Sequence, residues 1–383
     1  MISVKRTTAL LLCILALIAC NVPAAGIQVQ AWFSVSETEL HKYPLPVGVS
    51  HGDILVKNLS DPAEPPAVQV KNLDLIKAFL DQPELEDYGL DGLDVLEFDS
   101  EQARIIPTLI AFSTEIGLGA RLPSDGDVLF NDGSFIPNLT LVDIWLKCVW
   151  PDFTLDDLQL EAGTDFGLDA LDIMPLEGCP LSKGYFAPTA AEHFGKKFIV
   201  AFSTERDIVT EKGQVLATAG DYLIADTTCS AKFAPHHIPN LKLVGNHLKD
   251  PGPGMDFGLD ALDRLKPGMG QPIFFEETDS GCILQDLYNE FYFSIEQPNP
   301  AGDETAPPNA PPLDSGGEHG DILRDTPPEI TATNKFLTSL FYVGAVWPGD
   351  IGLDALDLIA IPGIVPTPTA TPTPTSTPRP TPT

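Results

Sequence analysis

The chain has 383 residues, of which 43% are hydrophobic, enough to fill a core larger than that of one ordinary domain. Its 54 acidic residues outnumber 22 basic ones, and a formal net charge of -32 argues against nucleic acid and anionic lipid as partners. Both of those surfaces require neutralisation of phosphate, so cations and basic surfaces are the partners that this charge favours.

An export signal is the first predicted element. Lys5 and Arg6 precede an apolar run, Ala9 to Ala19, that is too short to span a bilayer as a mature helix. The run ends in Leu17-Ile18-Ala19-Cys20, which resembles the lipobox of bacterial lipoproteins, and the resemblance implies that Cys20 is lipidated. Small residues at Val22-Pro23-Ala24 leave ordinary signal cleavage as the alternative. We therefore predict that residues 1–20 are an export signal with lipobox and that the protein is membrane-anchored through lipid or extracellular.

Three short patterns then recur four times in a constant order. Each repeat has Phe-Ser after apolar or aromatic residues, then Gly-Asp before apolar residues, then Asp-x-Gly-Leu-Asp-Ala-Leu-Asp, with Gly replacing Ala in the first copy. The copies are Phe33-Ser34, Phe112-Ser113, Phe202-Ser203 and Phe293-Ser294; Gly52-Asp53, Gly126-Asp127, Gly220-Asp221 and Gly320-Asp321; and residues 87–94, 165–172, 256–263 and 350–357. The sequence therefore predicts one four-repeat β domain at residues 28–363, with repeats at 28–98, 107–175, 197–266 and 290–363.

A fainter pattern, Asn-Leu, lies between the Gly-Asp and aspartate elements at Asn72, Asn138 and Asn240, with Asn334 to Leu340 in the fourth repeat. Alternating apolar and polar residues predict strands at 136–141 and 238–244, whereas Asn72 to Leu80 fits a short helix equally well.

The aspartate motif fits either a helix or a strand by period alone. Apolar residues generally follow it and a Gly or Pro comes next, for example after Ile173-Met174, so we predict a strand entered from an Asp-Gly turn.

About four short strands per repeat predict an all-β, propeller-like fold, with two β-sandwich domains as the alternative. The phase of the repeat favours the propeller. The array starts with a Phe-Ser strand that lacks its aspartate strand and ends with an aspartate strand that lacks its partner. Residues 351–360 are therefore expected to complete the first blade, with the aspartate strands innermost.

The Asp-Ala pairs at Asp169, Asp260 and Asp354 are similar to those that start the blades of hemopexin-type four-bladed propellers, although Asp91-Gly92 departs from the pattern. This resemblance implies architecture only. The chain as a whole resembles uncharacterised repeat-bearing secreted bacterial proteins, and that resemblance implies no activity.

Other segments interrupt or follow the repeats. Cys148, Cys179, Cys229 and Cys282 permit up to two disulfides in an exported chain, with the pairing open. Residues 273–284 suggest an extra hairpin, and the Pro-rich residues 297–317 a long exposed loop. Residues 366–383, almost entirely Pro and Thr, are predicted to be an extended linker or stalk.

The four motif copies bring twelve aspartates, which cannot converge without neutralisation. Two charges about 10 Å apart repel by about 1.7 kcal/mol at an effective dielectric of about 20. A structural role is favoured, because aspartates at turns hydrogen-bond to nearby backbone N–H groups. The alternative is that the second aspartate of each motif binds Ca2+, which is the only cofactor that the sequence suggests. Those candidate ligands are Asp91, Asp169, Asp260 and Asp354.

Acidic residues at nearly equivalent positions in every repeat indicate a structural role, because an active site should occur in one repeat and break the symmetry among the four. We therefore predict a non-catalytic binding or structural module that meets protein or glycan at the cell surface. The alternative is a secreted polysaccharide hydrolase that uses paired carboxylates.

Overall fold

The four repeats form a four-bladed β-propeller-like arrangement in the computed structural model, and Gln28–Ile361 is one compact unit. The structure describes residues 27–35, 48–80, 87–101, 104–118, 123–160, 165–175, 198–229, 235–244, 259, 261–263, 266–267, 275–278, 281–284, 292–295, 321–324, 329–338 and 353–362.

Each blade is a small sheet in which the aspartate strand is the inner strand and the Phe-Ser strand is the second. The third strand starts just after Gly-Asp, and a short outer strand follows. From the inner edge outward, the strands are Ala355–Pro362, Ile27–Ser34, Ile54–Asn58 and Ala67–Val70 in blade I; Leu93–Glu101, Arg104–Phe112, Val128–Phe130 and Phe135–Ile136 in blade II; Ala170–Pro175, Phe198–Ser203, Tyr222–Asp226 and His237–Ile238 in blade III; and Ala261–Asp263, Tyr292–Ser294, Ile322–Arg324 and Glu329–Ala332 in blade IV.

The first and last described strands close the ring, as the phase of the repeat predicted. Ala355–Pro362 is hydrogen-bonded to Ile27–Ser34. Its other edge pairs in parallel with Lys266–Pro267, which follows the inner strand of blade IV. The aspartate motif therefore forms a strand rather than a helix, and the two-sandwich alternative is wrong.

The Asn-Leu segments are helices. Only the first residue of each predicted strand, Ile136 and Ile238, belongs to a strand, so the prediction of strands over the rest of 136–141 and 238–244 is wrong. The helices are α1 (Asn72–Ile76), α2 (Asn138–Val149), α3 (Asn240–Val244) and α4 (Asn334–Thr338). In α2 the buried residues Leu141, Val142, Trp145 and Leu146 follow helical spacing, which a window of six residues does not separate from alternation.

Four hydrophobic clusters fill the four interfaces between consecutive blades. In the second strand of blade III, Val200 and Phe202 pack towards blade II, whereas Ile199 and Ala201 pack towards blade IV. Because both faces of such a strand are buried, its sequence is continuously apolar rather than alternating. The Phe-Ser runs have this composition for that reason.

The interface between blades II and III carries additions that the repeat does not predict. Helix α2 is 12 residues long, whereas the other three helices have five residues each. Its last turn brings Cys148 to Cys229, in the turn after the third strand of blade III, and the two form a disulfide. Trp145 Nε1 donates to the carbonyl of His236 at 3.1 Å, so both covalent and polar contacts join the two blades.

Smaller elements complete the described part of the chain. A 3-10 helix (Leu155–Asp157) leads to Leu158, which bridges Thr210 beside the hairpin Ile208–Val209 and Val215–Ala217. The predicted extra hairpin is confirmed as Phe275–Thr278 paired with Gly281–Leu284. Among the described residues, no helix has the length and apolarity needed to cross a membrane.

Several predictions fall on residues outside the described ranges. These are the export signal at residues 1–20 with Cys20, the loop at 297–317, Cys179 and the linker at 366–383. They stay predictions.

Candidate axial site

The serine of each Phe-Ser pair joins its blade to the next. Its Oγ donates a hydrogen bond to the carbonyl of the first leucine in the following aspartate motif. The four pairs are Ser34–Leu90 (2.9 Å), Ser113–Leu168 (3.3 Å), Ser203–Leu259 (3.0 Å) and Ser294–Leu353 (2.8 Å). All four serines are fully buried, so the ring has four equivalent serine joints.

The last aspartate of each motif makes a second set of joints. Asp94, Asp172, Asp263 and Asp357 are all buried. A backbone N–H of the next inner strand donates to the carboxylate, in the pairs Ile173–Asp94 (2.5 Å), Leu358–Asp263 (2.7 Å) and Val95–Asp357 (2.7 Å). For Asp172 the residue at the equivalent position, 264, lies outside the described ranges. These aspartates fasten the inner strands to one another, which supports the structural explanation for this position.

In three of the four Gly-Asp pairs the aspartate accepts a hydrogen bond from the first residue of a helix. Asp53 accepts hydrogen bonds from the N–H of Asn72, the first residue of α1, and from the N–H of Ser50, both at 2.9 Å. Asp127 and Asp221 repeat this arrangement with the first residues of α2 and α3. The first-turn N–H groups of a helix have no intrahelical acceptor, so a buried carboxylate here favours helix over strand.

The counter-charge on these capping aspartates differs between blades. Burial pushes the pKa of Asp221 upward, but the hydrogen bond with His237 and two backbone donors outweigh it and lower the pKa. His237 Nε2 lies 2.8 Å from Asp221 Oδ2. In blade II burial outweighs the backbone donors and raises the pKa of Asp127.

In α1 and α2 the asparagine that opens the helix is hydrogen-bonded to the loop that enters the next blade. Asn72 donates from Nδ2 to the carbonyl of Gly89 (2.9 Å) and accepts from the N–H of Tyr88 (2.9 Å). Asn138 makes the same two bonds to Gly167 and Phe166. The asparagine of the faint Asn-Leu pattern therefore recurs because its side chain hydrogen-bonds the helix to this loop.

The first aspartate of the motif forms the turn before the inner strand. Asp87 Oδ1 accepts from the N–H of Gly89 at 3.1 Å, and Asp165 repeats this bond with Gly167. Both glycines have a φ of +67°, a conformation that suits glycine best. A Cβ at Gly89 would lie 2.5 Å from Cδ of Glu115, and one at Gly167 would lie 2.3 Å from Cδ of Glu205. Each glycine thus leaves room for a glutamate.

The second aspartate of the motif lies just before the inner strand in three described blades, and the charges of Asp169 and Asp354 both act on Asp91. We name the axial cluster as Asp91, Asp169, Asp354, Glu115 and Glu205. Burial raises the pKa of Asp91 well above its usual range, and the other four carboxylates all add to that rise. All the charges of described residues that are shown to act on Asp91 are negative. Its Oδ2 atom is buried and accepts no hydrogen bond from any described residue.

The members of the axial cluster differ in exposure. Asp91, Asp169, Asp354 and Glu115 are half-buried, whereas Glu205 is exposed.

Three of the four predicted metal ligands thus belong to the axial cluster, and the fourth, Asp260, lies outside the described ranges. Within the described part of the chain, no three His, Cys, Asp or Glu side chains form a group that could hold a metal ion. Calcium at Asp91, Asp169, Asp260 and Asp354 stays a prediction. The residues that sequence reasoning missed are Glu115 and Glu205, although Phe-Ser-Thr-Glu recurs at 112–115 and 202–205 and could have revealed them.

Fold and joints together define a four-bladed propeller-like ring whose repeated polar residues fasten its modules. Comparisons with protein-family models, with curated proteins and with solved structures found no match to the chain.

Replacement of Gly92 by alanine is expected to destabilise the protein by about 1–3 kcal/mol through overpacking. The other three repeats have alanine at this position, so a consensus argument predicts the opposite. A Cβ at Gly92, however, would lie 2.8 Å from Ser113 Oγ and 2.9 Å from Leu171 Cβ. Denaturant unfolding measures the change, and Gly117→Ala is the control, because a Cβ there would meet nothing closer than 3.6 Å. Equal stability of Gly92→Ala and the wild type would contradict this packing.

Asp91→Asn is expected to raise the melting temperature at neutral pH, because it removes a buried charge from among four like charges. The pKa of Asp91 in the folded protein lies above its ordinary value of 3.8. The penalty for its charge therefore has its full size at pH values above the folded pKa. That penalty fades as the pH falls from the folded pKa towards the ordinary value. The stabilisation should therefore shrink in acid, which thermal unfolding from about pH 8 to about pH 4 tests.

Asp94→Asn is the matched control, since it makes the same chemical change three residues away. Asp94 accepts the N–H of Ile173 in buried surroundings, so its replacement should destabilise by about 1–3 kcal/mol. A fall in stability for both variants would mean that the Asp91 carboxylate, like that of Asp94, makes a stabilising contact between blades.

Proposed function

We propose that this chain is a non-catalytic binding or structural module that acts outside the cytoplasm. One observation carries the proposal: the repeated carboxylates accept backbone hydrogen bonds that join neighbouring blades and cap helices. A catalytic pair should be unique in the ring, whereas these groups recur at equivalent joints. The acidic residues of the axial cluster and the net charge of -32 suit binding of a positively charged partner.

Export rests on the signal-like residues 1–20 and is supported by the disulfide between Cys148 and Cys229. Disulfides persist mainly in oxidising compartments, such as the bacterial periplasm and cell surface. Anchoring through lipid on Cys20 is tested by mass spectrometry of the protein from a bacterial membrane fraction. An acylated mature chain beginning at Cys20 is expected, and Cys20→Ser should release the protein from the membrane. An unmodified chain that begins after Ala24 would instead establish ordinary signal cleavage.

The binding function is tested by immobilising the full chain and offering a panel of polysaccharides and of basic and acidic proteins. Retention of a glycan or protein without release of reducing ends is the expected result. Release of reducing ends would replace the proposal with the polysaccharide hydrolase, provided that Asp91→Asn abolishes it. Retention of nothing from the panel, by a chain that still unfolds cooperatively, would count against a binding role.

A further inference from the structure

We propose that the peptide bond between Asp61 and Pro62 cleaves itself, with the Asp61 carboxylate as nucleophile and the ammonium group of Lys57 as proton donor. The bond lies in the exposed turn between the strands Ile54–Asn58 and Ala67–Val70 of blade I. This inference is independent of the proposed binding function, because a chain that cuts itself once is not an enzyme with an external substrate.

Lys57 breaks the symmetry of the repeat. It lies four residues after the aspartate of Gly52-Asp53. The corresponding residues of the other repeats are Asn131, Ala225 and Asp325. Lys57 is only 1% exposed, and its Nζ lies 4.9 Å from the centre of the Phe336 ring in α4 of blade IV. A buried ammonium group is costly unless it is hydrogen-bonded, so its acceptors matter.

The acceptors of this ammonium group include the carbonyl of the bond to be cut. Lys57 Nζ donates to the carbonyl oxygen of Asp61 at 2.9 Å and also to the carbonyl of Glu64. The backbone N–H of Glu64 is a second donor to the Asp61 carbonyl, at 3.4 Å. Donors already aimed at a carbonyl oxygen stabilise the negative charge that develops there when the carbonyl carbon is attacked.

The nucleophile is held beside the same bond. Asp61 Oδ1 accepts a hydrogen bond from the N–H of Ala63 at 2.9 Å, so the side chain reaches across the peptide bond to Pro62. An intramolecular nucleophile held in this way has a large advantage over one from solvent. The Pro62 nitrogen belongs to a tertiary amide without an N–H. All three residues are exposed, so water has access to the bond.

The reaction balances without an oxidant or a cofactor. A carboxylate oxygen of Asp61 bonds to the backbone carbonyl carbon of the same residue, the C–N bond to Pro62 breaks, and Lys57 gives a proton to the departing nitrogen. Burial lowers the pKa of Lys57 against the attraction of the Glu64 and Asp61 carboxylates, which makes it a better proton donor than an ordinary lysine. Water then opens the cyclic anhydride of Asp61 and releases two protons, one to Lys57 and one to the new amino terminus. The net change is the addition of one water molecule.

Cleavage leaves the sheet of blade I intact. Ile54–Asn58 pairs with Ile27–Ser34 at one edge and with Ala67–Val70 at the other, and the cut falls in the turn between the last two. The product is therefore a ring of two fragments that are held together by their strands.

The test is incubation of the purified full chain at about pH 5, where most carboxyl groups are ionised and protons are more plentiful than at neutral pH. Denaturing electrophoresis, mass spectrometry and N-terminal sequencing follow the fragments. The bond between Asp250 and Pro251 is an internal reference, since it is the same dipeptide in the same chain. The fragment that begins at Pro62 should form about tenfold faster than the one that begins at Pro251, the effect of one charge-assisted hydrogen bond on a barrier. In urea, which removes the folded geometry, the two rates should be equal.

Lys57→Met should slow cleavage after Asp61 to the rate of the reference bond, and Asp61→Ala, which removes the nucleophile, should abolish it. Lys77→Met is the matched control, because it removes the same charge from a side chain that is 65% exposed, and it should leave the rate unchanged. An unchanged rate in a Lys57→Met protein that still unfolds cooperatively would overturn the proposal. Equal rates at the two Asp-Pro bonds of the folded wild type would also overturn it, and that comparison needs no variant to fold.

Discussion

A chain that ends after Gly349 is expected to lose cooperative unfolding altogether. Without residues 350–362 the ring lacks Leu353, Leu356, Leu358 and Ile359, all fully buried. At about 2 kcal/mol for each buried side chain, their burial contributes about 8 kcal/mol, comparable with the whole stability of an ordinary domain. Circular dichroism and tryptophan fluorescence during denaturant unfolding measure the loss.

The missing strand also holds three blades at once, which makes its removal worse than loss of an edge. Asp357 accepts from Val95 of blade II, Leu358 donates to Asp263 of blade IV, and the strand itself belongs to blade I. The control is a chain ending after Val365, which keeps the strand and lacks only the Pro/Thr-rich segment, and it should unfold like the full chain. Cooperative unfolding of the shorter chain would mean that three blades form a stable unit.

The double variant Cys148→Ser and Cys229→Ser is expected to lose about 4 kcal/mol of unfolding free energy. The disulfide joins residues 81 apart in sequence, and restricting a loop of that length in the unfolded chain stabilises the fold by roughly that amount. Denaturant unfolding of the oxidised wild type and of the variant gives the difference.

Reduction of the wild type is the control for this prediction, because it breaks the bond without changing a residue. A thiol reductant should lower the wild type to the stability of the double variant and leave the variant unchanged. If the reductant destabilises the variant as well, another disulfide contributes. If the double variant is as stable as the oxidised wild type, the contacts of Trp145 and the apolar packing hold the interface between blades II and III by themselves.

The architecture could be predicted because every repeat carries the same signals in the same phase. Continuous apolar residues before Phe-Ser predict strands that are buried on both faces, as Val200 and Ile199 confirm by packing towards opposite neighbours. The unmatched first and last strands predict closure of the ring. Those inferences need only the order of motifs along the chain.

A short helix from Asn72 was one of two alternatives left open by the sequence, but the helices at Asn138 and Asn240 were not predicted because their cause is non-local. What makes Asn138 the start of a helix is the carboxylate of Asp127, eleven residues earlier, together with the carbonyl of Gly167 in the next loop. Neither partner lies in the short window in which periodicity is read. The pairing of the cysteines could not be predicted for a similar reason. Cys148 lies in the last of about two extra turns of α2, which the other repeats do not contain.

The candidate site was predicted in part. The second aspartates were named from their recurrence. Glu115 and Glu205 were missed, although their carboxylates are the two largest charge contributions to the raised pKa of Asp91. Each glutamate lies three residues after the Phe of a Phe-Ser pair. That position indicates a place near the next blade only once Ser113 and Ser203 are known to bond to that blade.

The four serine joints are chemically identical, and one of them, Ser294 to Leu353, spans the seam between the first and last blades. The seam therefore has the same fastening as the three joints along the chain. A gene that opened at blade II and finished with blade I would encode the same set of joints, provided that a short connector replaced the present break. A circularly permuted chain of that kind is therefore expected to close into the same ring.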